Sequence, residues 1–150
     1  MQLTQPPFLY IVMASILTEQ DIRLFILDRN IADNPVDLDL SFSSEEIANA
    51  EKNAVRHFNM MPPVVGRAIG QIPEPLIHLY GTVYYLYLAK ILNLSRNDVD
   101  YQAGGMSVDI TKRRLANYTA ISQQLRSEFE QAAKNYKRTI NIHSYIGRIG

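Results

Sequence analysis

Apolar positions along the chain repeat mainly at the three- and four-residue spacing of an α-helix, and this spacing predicts four helices. The first helix follows a cap at Thr18 and ends near Asn30, and the second follows a cap at Ser43 and runs to Asn59. An acidic residue three positions after each cap completes a capping-box pattern, which satisfies backbone groups at a helix start. Two prolines soon after the second helix stop it, because proline interrupts helical hydrogen bonding.

The third predicted helix, over residues 73–92, is apolar or aromatic on every side. Pro75 stands in its first turn, where proline is tolerated. The segment is too short and too rich in tyrosine for a membrane span, which requires roughly 20 predominantly apolar residues. Because a chain of 150 residues has few other helices to surround it, we expect other subunits to supply part of its cover.

The fourth and longest helix is predicted over residues 110–138, with a length of about 40 Å at a rise of about 1.5 Å per residue. After it, residues 139–146 alternate like a strand that has no partner in this chain. We expect residues 139–150 to form an extended arm that pairs with another chain, because an unpaired strand edge is a liability in a soluble protein. The candidate partner-interface residues of this arm are Ile140, Ile142, Tyr145 and Ile146.

Two further segments alternate in the manner of strands. Residues 99–109 do so on both sides of Gly104 and Gly105, which predicts a small β-hairpin with positive φ at one or both glycines. Residues 34–42 alternate between apolar and acidic, but Pro35 and the charges favour an extended edge or a loop. The predicted fold class is therefore mainly α, with four helices, a small hairpin and an extended C-terminal arm.

Length and composition indicate one helical domain over residues 18–138, preceded by an extended tail at residues 1–17. A chain of this length can bury a core without cross-links. It contains no cysteine, which excludes disulfides, thiolate zinc sites and cysteine nucleophiles. No Lys or Arg precedes the first apolar run, so the basic region of a secretory signal is missing, and we expect synthesis in the cytoplasm.

The net charge is zero, but the charges are unevenly distributed along the chain. Eight acidic residues face two basic ones among residues 1–50, and eight basic residues face three acidic ones among residues 101–150. One interpretation is that solvated helix faces differ in sign by chance. The other is a subunit with an acidic and a basic flank, suited to head-to-tail contact with copies of itself.

The sequence has no catalytic constellation and no motif for binding a metal or a phosphate group. His57, His78 and His143 are scattered without metal-ligand spacing, and we expect them to be structural or surface residues. The four tyrosines between residues 80 and 87 form either a base-stacking platform or, as their helical spacing favours, part of a core or interface. We predict a protein that is not an enzyme and uses no cofactor.

A basic cluster, Lys112, Arg113 and Arg114, stands at the predicted start of the fourth helix, where cations oppose the helix dipole. Three interpretations are open: a solvated turn, a contact with an acidic patch of a neighbouring subunit, and a nucleic-acid backbone that passes nearby. One basic turn without interleaved aromatic residues is too little for a dedicated nucleic-acid reader. These residues, together with Tyr101, are the candidates for a subunit interface or a lumen surface.

Five segments carry a resemblance to a known family. They are a first helix over 18–28, a capped helix start at 42–47, a Phe-Asn-x-x-Pro-Pro ending at 58–63, a Leu-Tyr-Gly-x-x-Tyr helix at 79–84 and the segment 97–108. Together they resemble virion structural proteins of tailed bacteriophages, in particular head–tail connector (neck adaptor) proteins. The resemblance covers most of residues 18–145, and its motifs are structural rather than catalytic.

The resemblance implies a mainly helical, adaptor-like subunit that assembles with about a dozen copies into a ring beneath the portal protein. It implies a place in the virion neck, between the portal and the tail or stopper proteins. It further implies that genomic DNA passes through the lumen with non-specific contacts and that a terminal arm clasps the portal. No membrane contact and no cofactor belong to this picture.

Two other functions fit the same residues. One is a small helical regulator that binds nucleic acid through the basic cluster, as a monomer or dimer whose DNA affinity depends strongly on salt. The other is a different virion part, a tail-completion or stopper ring, whose sequence features do not differ from those of an adaptor.

Overall fold

A computed structural model describes residues 17–31, 42–64, 68–97 and 107–146 of the chain. Its regular elements are four helices, which confirms the prediction of a mainly α fold. No strand occurs within these four ranges. The helices are α1 (Glu19–Ile31), α2 (Ser44–Met60), α3 (Pro75–Asn97) and α4 (Ser107–Ile146).

Both predicted capping boxes are formed. The Thr18 backbone N–H donates to Asp21 Oδ2 at 2.9 Å, and the Asp21 N–H donates back to the Thr18 hydroxyl at 3.2 Å. Ser43 and Glu46 make the same reciprocal pair at the start of α2. Each box satisfies backbone groups that a helix start leaves without intrahelical partners, so it fixes where the helix begins.

Helix α3 lies at the centre and runs antiparallel to both α2 and α4. Its first half packs in one apolar cluster with the end of α2 and the second half of α4, and its second half packs with the start of α2 and the first half of α4. Helix α1 also contacts α3, through an edge-on pair of rings between Phe25 and Tyr80. The largest fully buried apolar side chains of this core are Ile22, Phe58, Val83, Leu86, Tyr87, Leu125 and Phe129.

The chain's own helices bury the middle of α3. The expectation that other subunits help to cover this helix is therefore not needed for its middle part. Its exposed large apolar side chains are Leu76 and Leu92, near its two ends. Tyr84 and Tyr87 are buried, and Tyr87 packs edge-on against Tyr118 of α4. These two tyrosines are therefore core residues, as their spacing favoured, and they are not available to stack on bases.

Gly81 lies where three helices approach one another most closely. A Cβ atom at this position would meet Phe129 Cε2 of α4 at 2.7 Å and the Cβ of Ala54 in α2 at 3.1 Å. Neighbours at that distance leave no room for a methyl group. The glycine in the Leu-Tyr-Gly-x-x-Tyr segment is thus required by packing.

The apolar loop between α2 and α3 is tied to the body of the fold by Asn59. The Asn59 side-chain amide donates to the Ile69 carbonyl at 2.9 Å, and its oxygen accepts from the Ile69 N–H at 3.0 Å. Ile72 is buried beside the end of α2. The loop therefore lies against the bundle, with a cis peptide bond between Pro62 and Pro63.

The prediction of an extended arm from Thr139 is wrong for residues 139–146, which continue α4. No glycine or proline interrupts the chain between Ser107 and Ile146, and Gly147 follows directly as a helix-stop residue. Extending an existing helix is cooperative, because each added residue gains a hydrogen bond without a new nucleus. That gain outweighs the strand preference of the isoleucines and tyrosine in this segment.

The predicted hairpin near 99–109 is wrong at its last three residues, because Ser107 already begins α4. Asp109 falls in the first helical turn, where an acidic side chain is favourable to the helix dipole. The rest of the hairpin, including Tyr101, Gly104 and Gly105, lies outside the described residues.

Candidate interaction surfaces

Helix α4 is much longer than the core that it helps to form. Its 40 residues span about 60 Å, whereas the 23 residues of α3 span about 35 Å. Among the side chains of α4 that the structure describes, residues 112–141, the buried ones lie between Tyr118 and Lys137. The turns on either side, 112–117 and 138–141, carry exposed and half-buried side chains, and the basic cluster and Ile140 lie on them.

The N-terminal end of α4 carries the basic cluster. Lys112 and Arg113 are exposed, and Arg114 is half-buried. Because α4 begins at Ser107, these cations fall in its second turn, where the helix dipole has largely lost its influence. The expectation that these cations oppose the helix dipole is wrong, so the dipole gives no reason to expect a partner for the cluster.

The C-terminal end of α4 carries the predicted arm residues, with Ile140 half-buried. Ile142, Tyr145 and Ile146 lie on the helical backbone, and their side chains are outside the described residues. From Lys112 to Ile140 the helix rises about 42 Å. The basic cluster and Ile140 therefore lie near opposite ends of α4.

Lys137 joins this end of α4 to the turn after α2. Its Nζ donates a hydrogen bond to the Met61 carbonyl oxygen at 2.6 Å and lies 4.8 Å from the centre of the Phe58 ring. The residue is fully buried, and burial holds the pKa of its ammonium below the ordinary value. The charged hydrogen bond and the ring contact offset part of the cost of burying a cation.

A surface cleft of about 560 Å³ lies beside Lys137, between the proline turn and the last turns of α4. Pro62 and Pro63 form its apolar wall, and Lys134, Arg138 and Asn141 form its polar wall. The apolar wall adjoins Met60 and Val64 in the chain, whose side chains are 81% and 75% exposed. This cleft, with two cations opposite two prolines, is a candidate binding surface that the sequence pattern did not predict.

A polar layer crosses the bundle near its middle. The Tyr85 hydroxyl lies 3.2 Å from His57 Nδ1, and His57 Nε2 lies 3.5 Å from Glu130 Oε1. Arg126 Nε donates to the same Glu130 oxygen at 2.8 Å. The layer therefore links α2 to α3 by the Tyr85–His57 hydrogen bond and α2 to α4 by the His57–Glu130 contact.

The electrostatics of this layer do not favour a tyrosine nucleophile. Burial lowers the pKa of His57, although the Glu130 carboxylate opposes the shift, and burial raises the pKa of Tyr85. A tyrosine nucleophile requires the opposite shift, toward the phenolate. Burial therefore favours the neutral forms of the Tyr85 phenol and the His57 imidazole, next to the Glu130 carboxylate.

A second buried polar group lies on α3. His78 is 3% exposed, and neither its Nε2 nor the Thr82 hydroxyl has a hydrogen-bond partner. Glu51 Oε1 of α2 lies 3.9 Å from His78 Nε2. Burial lowers the pKa of His78 and raises the pKa of Glu51, so both shifts favour the neutral forms.

Three of the eight acidic residues among residues 1–50 have local structural roles. Asp21 and Glu46 accept capping hydrogen bonds, and these bonds lower the pKa of each carboxyl. Glu19 pairs with Arg23 and accepts a hydrogen bond from the Ser44 hydroxyl at 3.0 Å, which joins the starts of α1 and α2. These acids are accounted for without a partner chain.

Within the described ranges, no three His, Asp or Glu side chains group as a metal site would require. No helix there combines the length and the hydropathy needed to cross a membrane. Comparisons of the chain with protein families, with curated proteins and with solved structures gave no match.

Proposed function

We propose that this protein is a non-enzymatic structural subunit of a tailed-phage virion that forms a connector, or adaptor, ring in the neck. In this proposal the ring binds the portal protein on one side and tail or stopper proteins on the other, and genomic DNA passes through its lumen. The observation that carries the proposal is the length of α4, 40 residues, whose described side chains are exposed or half-buried over 112–117 and 138–141, on both sides of the packed stretch. Exposed turns on both sides of the core give a subunit two different surfaces for neighbouring copies, as a heterologous ring contact requires.

Three of the five segments that resemble connector proteins have structural roles in the described part of the fold, which supports the proposal. The capped start at 42–47 fixes the beginning of α2, and Asn59 in the 58–63 ending holds the following loop. Gly81 in the 79–84 segment allows α2, α3 and α4 to approach closely. A protein whose most distinctive residues serve packing and capping is better suited to assembly than to chemistry.

The test begins with the full-length purified chain. Native mass spectrometry and negative-stain electron microscopy would determine whether it forms rings, alone and with the portal protein of its phage. A ring that binds portal supports the adaptor role, and a ring that binds only tail-side proteins supports a stopper or tail-completion role. A monomer or dimer whose DNA affinity falls steeply with salt would favour the nucleic-acid regulator instead.

Reversal of two cations near the start of α4, Arg113→Glu with Arg114→Glu, tests what the basic cluster does. Loss of rings would assign it to a subunit contact, because like charges at a close interface cost several kcal/mol. Intact rings with weaker DNA binding would assign it to the lumen. Normal rings with normal DNA binding would mean a solvated helix turn. Lys52→Glu with Arg56→Glu, an exposed pair on α2, is the matched control for charge and for placement on a helix.

A further inference from the structure

The open cleft beside the proline turn combines two cations with two prolines, a composition that suits an acidic segment in which apolar residues alternate with acids. Its polar wall presents Lys134 and Arg138, which are four residues apart on α4 and therefore about 6 Å apart along the helix. Within the described ranges, no acidic group lies within 4.0 Å of the Arg138 guanidinium. The opposite wall is formed by two prolines, which present apolar surface.

The chain itself contains a segment that matches both walls. In Pro35-Val36-Asp37-Leu38-Asp39-Leu40, the two aspartates alternate with apolar residues. If this segment bound as an extended strand, Asp37 and Asp39 would point to one side, about 6.7 Å apart. That spacing is close to the rise between Lys134 and Arg138 on α4, and the apolar side chains would then face the prolines.

The segment cannot reach the cleft of its own molecule. Phe42 lies at the start of α2, whereas the cleft lies beyond the end of that helix, about 25 Å away for 17 residues. Asp39 and Asp37 precede Phe42 by three and five residues, which span at most about 11 Å and about 18 Å when fully extended. Binding of this segment to the cleft therefore requires a second copy of the chain.

We infer that the cleft formed by Pro62, Pro63, Lys134, Arg138 and Asn141 binds the Asp37–Asp39 segment of a neighbouring copy, head to tail. Because the acidic segment and the basic cleft are different surfaces, the contact is heterologous and can be repeated around a ring. This inference rests on the proposed function, because it names the contact between neighbouring copies in the proposed ring.

The test is a charge-swap experiment on the full chain, read by sedimentation velocity at low and high salt. Lys134→Glu with Arg138→Glu, and separately Asp37→Lys with Asp39→Lys, should each weaken self-association by at least about tenfold. The two pairs combined in one chain should restore association, because each cleft then meets a segment of opposite charge. The control pair Lys52→Glu with Arg56→Glu should associate like the wild type.

A second measurement keeps the test independent of how tightly the whole ring assembles. The Asp37→Lys, Asp39→Lys protein keeps the cleft but lacks the acidic occupant. It should bind a fluorescein-labelled peptide of residues 33–42 in fluorescence anisotropy, and adding the Lys134→Glu and Arg138→Glu changes should abolish that binding. Circular dichroism of each variant would confirm that it is folded.

Two results would overturn the inference: association of both charge-reversed pairs within twofold of the wild type, or an unbound peptide. The fate of the proposed function is separate. Self-association through the cleft without portal binding would leave the inference standing and defeat the connector proposal. Rings that bind portal but are unaffected by the charge swaps would support the connector proposal and overturn the inference about the cleft.

Discussion

The close crossing at Gly81 gives the sharpest test of the packing described above, through the substitution Gly81→Ala. The added methyl group would lie 2.7 Å from Phe129 Cε2, closer than carbon atoms pack. Phe129 is fully buried, so the surrounding side chains prevent its ring from moving out toward solvent. The Ala54 methyl group at 3.1 Å blocks the other side.

Two opposing effects determine the size of the change in stability. Alanine favours a helix over glycine by about 1 kcal/mol, which stabilises the fold. Overpacking a tight core costs about 1–3 kcal/mol, which destabilises it. We expect Gly81→Ala to lower the free energy of unfolding by up to about 2 kcal/mol, which corresponds to a few degrees in the melting temperature of a domain of this size.

A double-mutant cycle with Phe129→Leu separates the two effects, because leucine lacks the ring atom that the methyl group would meet. In the Phe129→Leu background the collision is relieved, so Gly81→Ala should become neutral or stabilising by up to about 1 kcal/mol. Urea unfolding followed by circular dichroism at 222 nm measures all four proteins. Gly70→Ala, at a position with no heavy atom within 4 Å of the new Cβ, is the control. A coupling energy below about 0.5 kcal/mol would refute the packing argument.

Three further predictions concern charge and the C-terminal end of α4. Burial lowers the pKa of Lys137 in the folded protein, so just below pH 10.5 the unfolded chain binds more protons than the folded one, and the free energy of unfolding should rise with pH there. Lys137→Met should remove this slope when urea unfolding is measured at several pH values. The lowered pKa of His57 and of His78 means that stability should be lost as pH falls through 6.5, by at most about 1.4 kcal/mol per pH unit for each histidine. His78→Gln should flatten that loss, and an unchanged slope would count against a buried neutral imidazole. Deletion of residues 139–150 should reduce the helical ellipticity at 222 nm, whereas an unchanged signal would indicate that these residues are extended.

The helices that begin with clear caps could be predicted from sequence, because their signals are local. Thr18 and Ser43 each lie three residues before an acidic partner, and both boxes form. The end of α4 could not be predicted from sequence, because its apolar residues fit both the two-residue period of a strand and the three- and four-residue spacing of a helix. Ile140 and Ile142 alternate like a strand, while Ile142, Tyr145 and Ile146 have the three- and four-residue spacing of a helix. Over eight residues, periodicity does not separate the two.

The cleft could not be predicted either, because its walls are far apart in the sequence. Lys137 follows Ala133 by one helical turn in the apolar stripe of α4, and a lysine there normally indicates an exposed face. Its partner, the Met61 carbonyl, is 76 residues earlier in the chain. Only the antiparallel packing of α3 on both neighbouring helices brings the two together. The placement of Lys134 and Arg138 opposite the prolines follows from the same packing.

The uneven charge of the chain is easier to interpret when the residues with local structural roles are set aside. Asp21 and Glu46 serve as caps, Arg126 pairs with Glu130, and Lys137 is buried. The other basic residues of α4 include two groups, one near residues 112–114 and one at residues 134–138, about 35 Å apart along the helix. Two groups at that separation cannot serve one close contact, so reversing each should have a different effect. If the cleft holds the neighbouring copy, Lys134→Glu with Arg138→Glu should abolish rings, while Arg113→Glu with Arg114→Glu should leave them intact and weaken DNA binding. Equal effects of the two reversals on assembly would mean that net charge, and not these two surfaces, governs association.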